Sequence, residues 1–505
     1  AAVRWLEAAR HAFGSGALVE ARGHATTALA LATDSRVRVG ARLLLVEMAG
    51  EDYSGIGPLL DAGFREAGSH PDLLARLQMH RAAKAYYDGD SETARAELKR
   101  AEAAAEQCRD TELLVEVLTW RGSMLVGAER DDFLERAGQR ARGLPLTPGV
   151  VAARQASAMS PLFRGDVALA VERVTALRAE VERSGAVREI AATLVSVAGV
   201  FGRAGRCAEA LEAARECARL FEDVMASPGP GLLVCAMAEF NGGSLARAAD
   251  DVDRATAACQ AAGDEGWIRH AYTTAGMIKL LQGDAHAAAE RMRLAYVTAQ
   301  QLGRIDPGQV LWLADYVEAL VGSGAKTEAR TVLAEVTGDA ERLGRTVTFL
   351  SLARAGALVT AAFSRARDGA EALERAIEQW ADHPYPLEVA RAFYVLGGLE
   401  RRAHRRGAAR AAYQAALGRF TEARALPWGA AVTADLARLD GGRGGGLSET
   451  ERRIVDLVRA GATNREIGRA MFLSVKAVEA NLTRLYRRLN VRNRAQLARI
   501  VDEAE

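Results

Sequence analysis

The chain has 505 residues, 49% hydrophobic and 26% charged, with 66 basic against 65 acidic side chains. That length and apolar content exclude a single small domain and a largely disordered chain. A net charge of +1 excludes a chain that is basic throughout, though not a basic module balanced by an acidic one.

No run reaches the roughly 18 uninterrupted apolar residues of a membrane-spanning helix, and no charged-then-apolar leader opens the sequence. The expectation is a cytoplasmic protein with no membrane contact. Arginine outnumbers lysine 61 to 5, and alanine is roughly a fifth of the chain, a bias that reflects a GC-rich genome more than function. Cys108, Cys207, Cys217, Cys235 and Cys259 form no Cys-x-x-Cys pair, and the eight histidines form no His-x-His or His-x-x-x-His pair. The cysteines read as small buried hydrophobes, and no metal site is expected.

In chain order, one unit recurs: an apolar helix, a Gly-polar turn, and a second helix with small residues about four positions apart. Tyr86-Tyr87-Asp88-Gly89-Asp90 leads into Ala94, Leu98 and Ala101. Gly165-Asp166 leads into Ala170 and Val174, and Gly205 into Ala210 and Ala214. Gly243 leads into Ala248 and Val252, Gly283-Asp284 into Ala288 and Met292, and Gly324 into Ala329 and Leu333; Asp368-Gly369 and Arg406-Gly407 continue the series. The turns at 165, 205, 243, 283 and 324 lie 40, 38, 40 and 41 residues apart. Glycine suits such a turn because it enters the left-handed conformation without strain. Strand signals are scarce, so the fold class is all-α.

The unit resembles tetratricopeptide-type (TPR) helical hairpins, although it runs to about 40 residues where theirs has about 34 and lacks their full aromatic signature. Stacked hairpins build a solenoid whose concave face takes a peptide, protein or small molecule. Trp267, Trp312, Tyr316 and Trp380 are candidates for that face, against the commoner role of hairpin core. Gly322-Ser-Gly-Ala-Lys326-Thr327 ends like a phosphate-binding loop, but Ala325 and Leu320 stand where that motif needs glycine. No catalytic constellation is recognisable, so no catalytic, cofactor-binding or metal-ligating residue is assigned.

Leu439-Asp-Gly-Gly-Arg-Gly-Gly-Gly446 reads as a linker, since clustered glycines cannot hold a helix. Beyond it, Ser448-x-x-Glu451 and Thr463-x-x-Glu466 are capping boxes that open two helices. The first carries Ile454, Leu457 and Val458 and closes at Gly461; the second faces Ile467 and Met471 inward. Ser474 caps a third helix, running to about Leu489, and Asn493-x-x-Gln496 opens a fourth with Leu497, Ile500 and Val501. On the third helix Val478, Leu482, Leu485 and Leu489 form the buried stripe. The opposite face carries Lys476, Ala480, Thr483 and Arg487, flanked by Glu479 and Arg484. Basic side chains on such a face reach phosphates or guanine edges, and threonine and alanine touch thymine methyls.

The order Leu447-Ser-x-x-Glu451, Ala460-Gly-x-Thr-Asn-Arg-Glu-Ile467, Ser474-Val-Lys-x-Val-Glu479, Leu485-Tyr-Arg-Arg-Leu-Asn-Val-Arg-Asn-Arg494 resembles the LuxR-type helix-turn-helix (HTH) domain over essentially all of 447–501. The resemblance implies that the third helix is the recognition helix. It implies that the second helix braces the phosphate backbone through Thr463, Asn464 and Arg465, with Ser474 at the start of the third. It makes the fourth helix, with Leu497, Ile500 and Val501, a dimerisation surface. Asn481, Ala477 and Glu479 depart from residues common in that family. A LuxR-type reader behind helical repeats also resembles the large activators of the MalT kind, which include the large ATP-binding LuxR regulators. In those a nucleotide-binding switch precedes the repeats, so the absence of an initiator methionine fits a piece of a longer parent.

The sequence therefore predicts a TPR-like solenoid over 1–438, a linker over 439–446 and a LuxR-type domain over 447–505. The expected function is sequence-specific transcription regulation, as an activator and without enzymatic activity or cofactor. Expected partners are double-stranded promoter DNA, a second copy of the chain, RNA polymerase, and an inducer or protein at the repeats. The alternative is a repeat scaffold whose C-terminal bundle binds protein. From Leu447 onward there are 12 basic and 8 acidic residues, whereas the first 446 hold 54 and 57. Near-neutrality is an average over an acidic repeat region and a basic tail.

Overall fold

The computed structural model describes residues 1–14, 17–49, 55–225, 227–301, 306–440, 449–471, 473–488, 491 and 493–499. Among these, all regular structure is helical. The chain divides into two compact units, Ala1–Thr433 and Ala434–Glu505.

The first unit is a run of antiparallel hairpins with a TPR-like fold. Pro71–Tyr87 pairs with Ser91–Cys108, Val187–Arg203 with Cys207–Val224, Glu265–Leu281 with Ala285–Gln301, and Pro386–Arg402 with Arg406–Glu422. Two helix pairs, beginning at Ala2–Gly14 and Ser35–Glu47, precede the first turn legible in the sequence. The Gly-Asp turns explain themselves locally. Gly89, Gly165 and Gly283 are left-handed, with φ of 84°, 88° and 86°. The aspartate that follows each caps the next helix: Asp90 accepts from the Thr93 amide at 3.0 Å, Asp166 from Leu169 at 3.1 Å and Asp284 from Ala287 at 3.0 Å. The small residues beyond each turn, such as Ala94, Ala101, Ala170 and Ala210, are buried between paired helices.

Three turns differ from the sequence reading. Gly243 has φ −118°, so left-handedness is not its reason; a side chain there would collide with the Glu239 carboxylate. Gly369 and Gly407 lie inside helices Ala366–Gln379 and Arg406–Glu422. The turns precede them, at Ser364-Arg365 and at Ala403–Arg405, where His404 itself takes φ 60°. Gly369 is needed instead because its helix crosses the backbone of Ala357 too closely for a Cβ.

Tyr316 is fully buried, and Trp267, Trp312 and Trp380 pack against the hairpin cores, so these rings belong to the core. Gly324 is a left-handed hairpin turn, and the Lys326 ammonium donates to the Ala362 carbonyl. Cys207, Cys217, Cys235 and Cys259 are buried, and burial pushes their thiols up to about 11, 12, 12 and 11. Segment Thr346–Phe363, though interrupted by Arg354 and several hydroxyl residues, is long and apolar enough by composition to span a membrane, with mean hydropathy 1.5. At its middle Arg354, 1% exposed, pairs with Asp315 at 2.8 Å and Glu318 at 2.6 Å, partners on the preceding hairpin.

Hairpins far apart in sequence also meet. The Arg345 guanidinium bridges Asp306 at 2.6 Å and Asp131 at 2.8 Å, all three at most 4% exposed. Asp306 in turn accepts from the amides of Gly127 at 3.1 Å and Gly308 at 3.0 Å. The left-handed turns Gly127 and Gly165 lie against Leu343 and Pro384, and Gly205 against Pro386. The Arg203 guanidinium donates to the Gly308 carbonyl at 3.0 Å, and the Tyr385 hydroxyl to the Leu162 carbonyl.

Candidate nucleic-acid interface

The second unit contains helices Glu449–Arg459, Asn464–Met471, Val475–Arg488 and Arg494–Arg499. Their core consists of Ile454, Val455, Val458, Ile467, Val478, Leu482, Leu485, Val491 and Leu497. Val455 joins the inner face of the first helix, where the sequence reading has Leu457, which is only partly buried. Leu489 and the first capping box at Ser448 fall outside the described residues.

The capping geometry is reciprocal at the second helix. Thr463 donates its amide to Glu466 Oε2 at 2.6 Å, and the Glu466 amide donates to Thr463 Oγ1 at 3.4 Å. Those bonds hold the exposed Glu466 carboxyl below the usual carboxylate range. Ser474 Oγ accepts from the Ala477 amide at 3.2 Å, and Asn493 Oδ1 from the Gln496 amide at 2.9 Å. Between the second and third helices the chain turns directly over Gly468: the Leu473 amide donates to the Gly468 carbonyl at 2.8 Å. A Cβ on Gly468 would sit 2.7 Å from the Leu473 carbonyl oxygen. The tight turn between two short helices thus depends on one missing side chain.

This scaffold leaves Lys476, Glu479, Ala480, Thr483, Arg484 and Arg487 exposed along one side of Val475–Arg488, opposite Val478, Leu482 and Leu485. Thr483 donates its hydroxyl hydrogen to the Glu479 carbonyl at 2.9 Å, which leaves its methyl and oxygen lone pairs outward. Arg484 donates to Asn481 Oδ1 at 3.1 Å, and Asn481 donates to the Ala477 carbonyl at 2.9 Å, so one guanidinium is held by its neighbour, and Arg487 one turn on is exposed. Thr463, Arg465 and Ser474 are exposed at the two helix starts.

Two residues carry roles the sequence reading missed. Arg494 donates to Asn464 Oδ1 at 3.0 Å and to the Ala462 carbonyl, tying the fourth helix to the start of the second. The Asn464 side-chain oxygen is thereby engaged within the bundle. Gly468 is the other, signalled only by a glycine within a helical pattern. Leu497 is fully buried in the bundle and presents no surface to a second copy; Ile500 and Val501 lie outside the described residues.

The family described as bacterial regulatory proteins, luxR family, matches residues 446–501. Those residues are a LuxR-family helix-turn-helix domain. The LuxR-family domain is 46% identical over 56 residues to YhjB of Escherichia coli (strain K12), a proposed HTH-type transcriptional regulator; the match covers 11% of this chain and 28% of that protein. A proposed HTH-type regulator of Mycobacterium bovis (strain ATCC BAA-935 / AF2122/97), Mb0914c, is 37% identical over 112 residues, 19% of this chain and 12% of its own length. The chain thus spans under a third of the curated relatives it matches. Among solved structures, a Rap protein complexed with competence and sporulation factor aligns with TM-score 0.51 and 11% identity, over 70% of this chain and 99% of that one. At that identity the likeness is one of fold. It places the helical repeats in a known architecture.

Proposed function

We propose that this chain is a sequence-specific DNA-binding transcription regulator, acting as an activator, in which the LuxR-family domain holds promoter DNA and the repeats receive a ligand or protein signal. The observation that carries this reading is the exposed face Lys476–Ala480–Thr483–Arg487 on a helix set by the tight turn at Gly468, within a domain that matches a family of bacterial regulators. A helix presenting arginine, lysine, a small residue and a threonine methyl fits the major groove, while the capped start of Asn464–Met471 offers amides and Arg465 to a phosphate. Pairing of two copies on a symmetric site would multiply these contacts. Ile500 and Val501 are the residues proposed for that pairing, RNA polymerase the proposed downstream partner, and no enzymatic step is assigned.

Selection of genomic fragments by the full chain is the test. A recovered motif, bound with affinity that falls steeply as salt rises, is the expected result. Retention of no fragment over bulk DNA, at any salt, would overturn the reading and favour a protein-binding bundle.

A further inference from the structure

Stacked helical hairpins ordinarily touch only their neighbours in sequence. In Ala1–Thr433, by contrast, hydrogen-bonded partners are separated by 179, 214 and 223 residues. These contacts lie along one seam. On one side are the turns at Gly127, Gly165 and Gly205; on the other are Asp306, Leu343, Arg345 and the segment around Pro384. The repeat region is therefore closed upon itself between hairpins that the sequence does not make adjacent.

The seam differs in chemistry from the interfaces within hairpins. Paired helices meet through alanine, leucine and valine, as at Ala94, Leu98 and Ala101 or at Ala170 and Val174. The seam is held chiefly by Arg345 between Asp306 and Asp131, by Asp306 on the Gly127 amide, and by Arg203 and Tyr385 on backbone carbonyls. Val347 and Tyr385 add a small apolar patch. Apolar surface pulled from its partner has only water to meet, whereas a guanidinium and a carboxylate each regain strong hydration when they part. Opening along the polar seam therefore costs less than opening any hairpin.

We propose that Asp131–Arg345–Asp306 is a latch, and that the arrangement described here is the closed state of a repeat region that opens along this seam while its hairpins stay intact. The surface so uncovered is where a signal would act; that last step rests on the sensing role proposed above, and the latch itself does not.

The test uses the full chain without ligand or DNA. The Cβ position of residue 127 lies 3.8 Å from Leu343 Cβ, within the roughly 3.5–4.5 Å that a disulfide requires. The double variant Gly127→Cys/Leu343→Cys should bridge under mild oxidation, with each single variant as control for the native thiols. Adding Asp306→Asn should slow bridging about tenfold or more, with the helical circular dichroism unchanged. Bridging at an unchanged rate would overturn the latch, and a pair that never bridges would overturn the closed state. Should Asp306→Asn fail to fold, hydrogen exchange in the unsubstituted chain decides the matter. The Gly127 amide, held across the seam by Asp306, should exchange at least about tenfold faster than amides inside the flanking hairpins. Equal rates would refute the proposal. A failed promoter selection would leave these results untouched, so the two readings fail separately.

Discussion

Replacing Gly468 with alanine tests the argument that one absent side chain sets the turn of the helix-turn-helix. The added Cβ would stand 2.7 Å from the Leu473 carbonyl oxygen, whereas carbon and oxygen settle at about 3.3 Å or more. The obstacle is backbone, held by the Leu473 amide on the Gly468 carbonyl, so the third helix must move outward by roughly half an ångström. Overpacking of this size costs about 1–3 kcal/mol, and the better helix propensity of alanine returns about 1 kcal/mol. Because the obstacle is backbone rather than a movable side chain, the cost falls in the upper part of that range, about 2–3 kcal/mol. The net loss of about 1–2 kcal/mol corresponds to a five- to thirtyfold larger open population. Hydrogen exchange at the Ile467, Val478 and Leu482 amides of the full chain measures it directly, and DNA affinity should fall in parallel. Gly418 supplies the contrast: it lies in helix Arg406–Glu422, is exposed, and a Cβ there meets nothing within 4 Å. Gly418→Ala should therefore stabilise its hairpin by about 0.5–1 kcal/mol. Exchange in Gly468→Ala as slow as in the unsubstituted chain would refute the steric reasoning.

Further substitutions separate the roles of neighbouring side chains. Arg487→Ala and Arg484→Ala should weaken binding to all sequences and lower the salt slope by about 1 each, read from titrations at several ionic strengths. Thr483→Ala should leave the slope unchanged and relax preference at one base position, visible in a mutated-site series. Glu239 is 1% exposed and accepts from the Ser244 amide at 2.8 Å and from Arg215 at 2.7 Å. Glu239→Ala should cost about 2–3 kcal/mol in urea unfolding, because two charge-assisted bonds disappear from a turn that lacks a left-handed glycine. Burial, aided by the charge of Arg76, pushes the His80 imidazole down to about 4. An unfolded chain takes up that proton near pH 6.5, so the contribution is complete above 6.5 and is lost as pH falls towards 4. About 3 kcal/mol is at stake, and His80→Phe should remove that part of the pH dependence of Tm.

The repeat architecture was legible because each Gly-Asp turn encodes two local requirements, a left-handed residue and a helix cap, which need no tertiary information. Where one of these was missing the reading slipped: Gly369 and Gly407 sit past their turns, and His404 serves as a left-handed residue with no glycine to mark it. The exposed face of the third tail helix followed from spacing alone, since period and polarity agree from Lys476 to Arg487. Arg494 on Asn464 was not legible, because a bond across 30 residues leaves no periodic trace. The same holds more strongly for Arg345, whose carboxylate partners lie 39 and 214 residues away. Leu497 shows a different difficulty: the resemblance implied a meeting surface on the fourth helix, whereas this residue fills the domain's own core.

The long-range bonds of Arg345, Asp306 and Tyr385 also bear on how the first unit folds. A linear array of hairpins can nucleate anywhere and fray from its ends, each repeat answering only to the next. Here residues near 130 and near 345 must find each other after the intervening hairpins have formed, a contact of high sequence separation that closes late and slowly. While closed, it couples the fates of hairpins that would otherwise melt independently. Unfolding of the first unit should then proceed in fewer and sharper steps than its number of hairpins suggests, with the intervening repeats protected as a block.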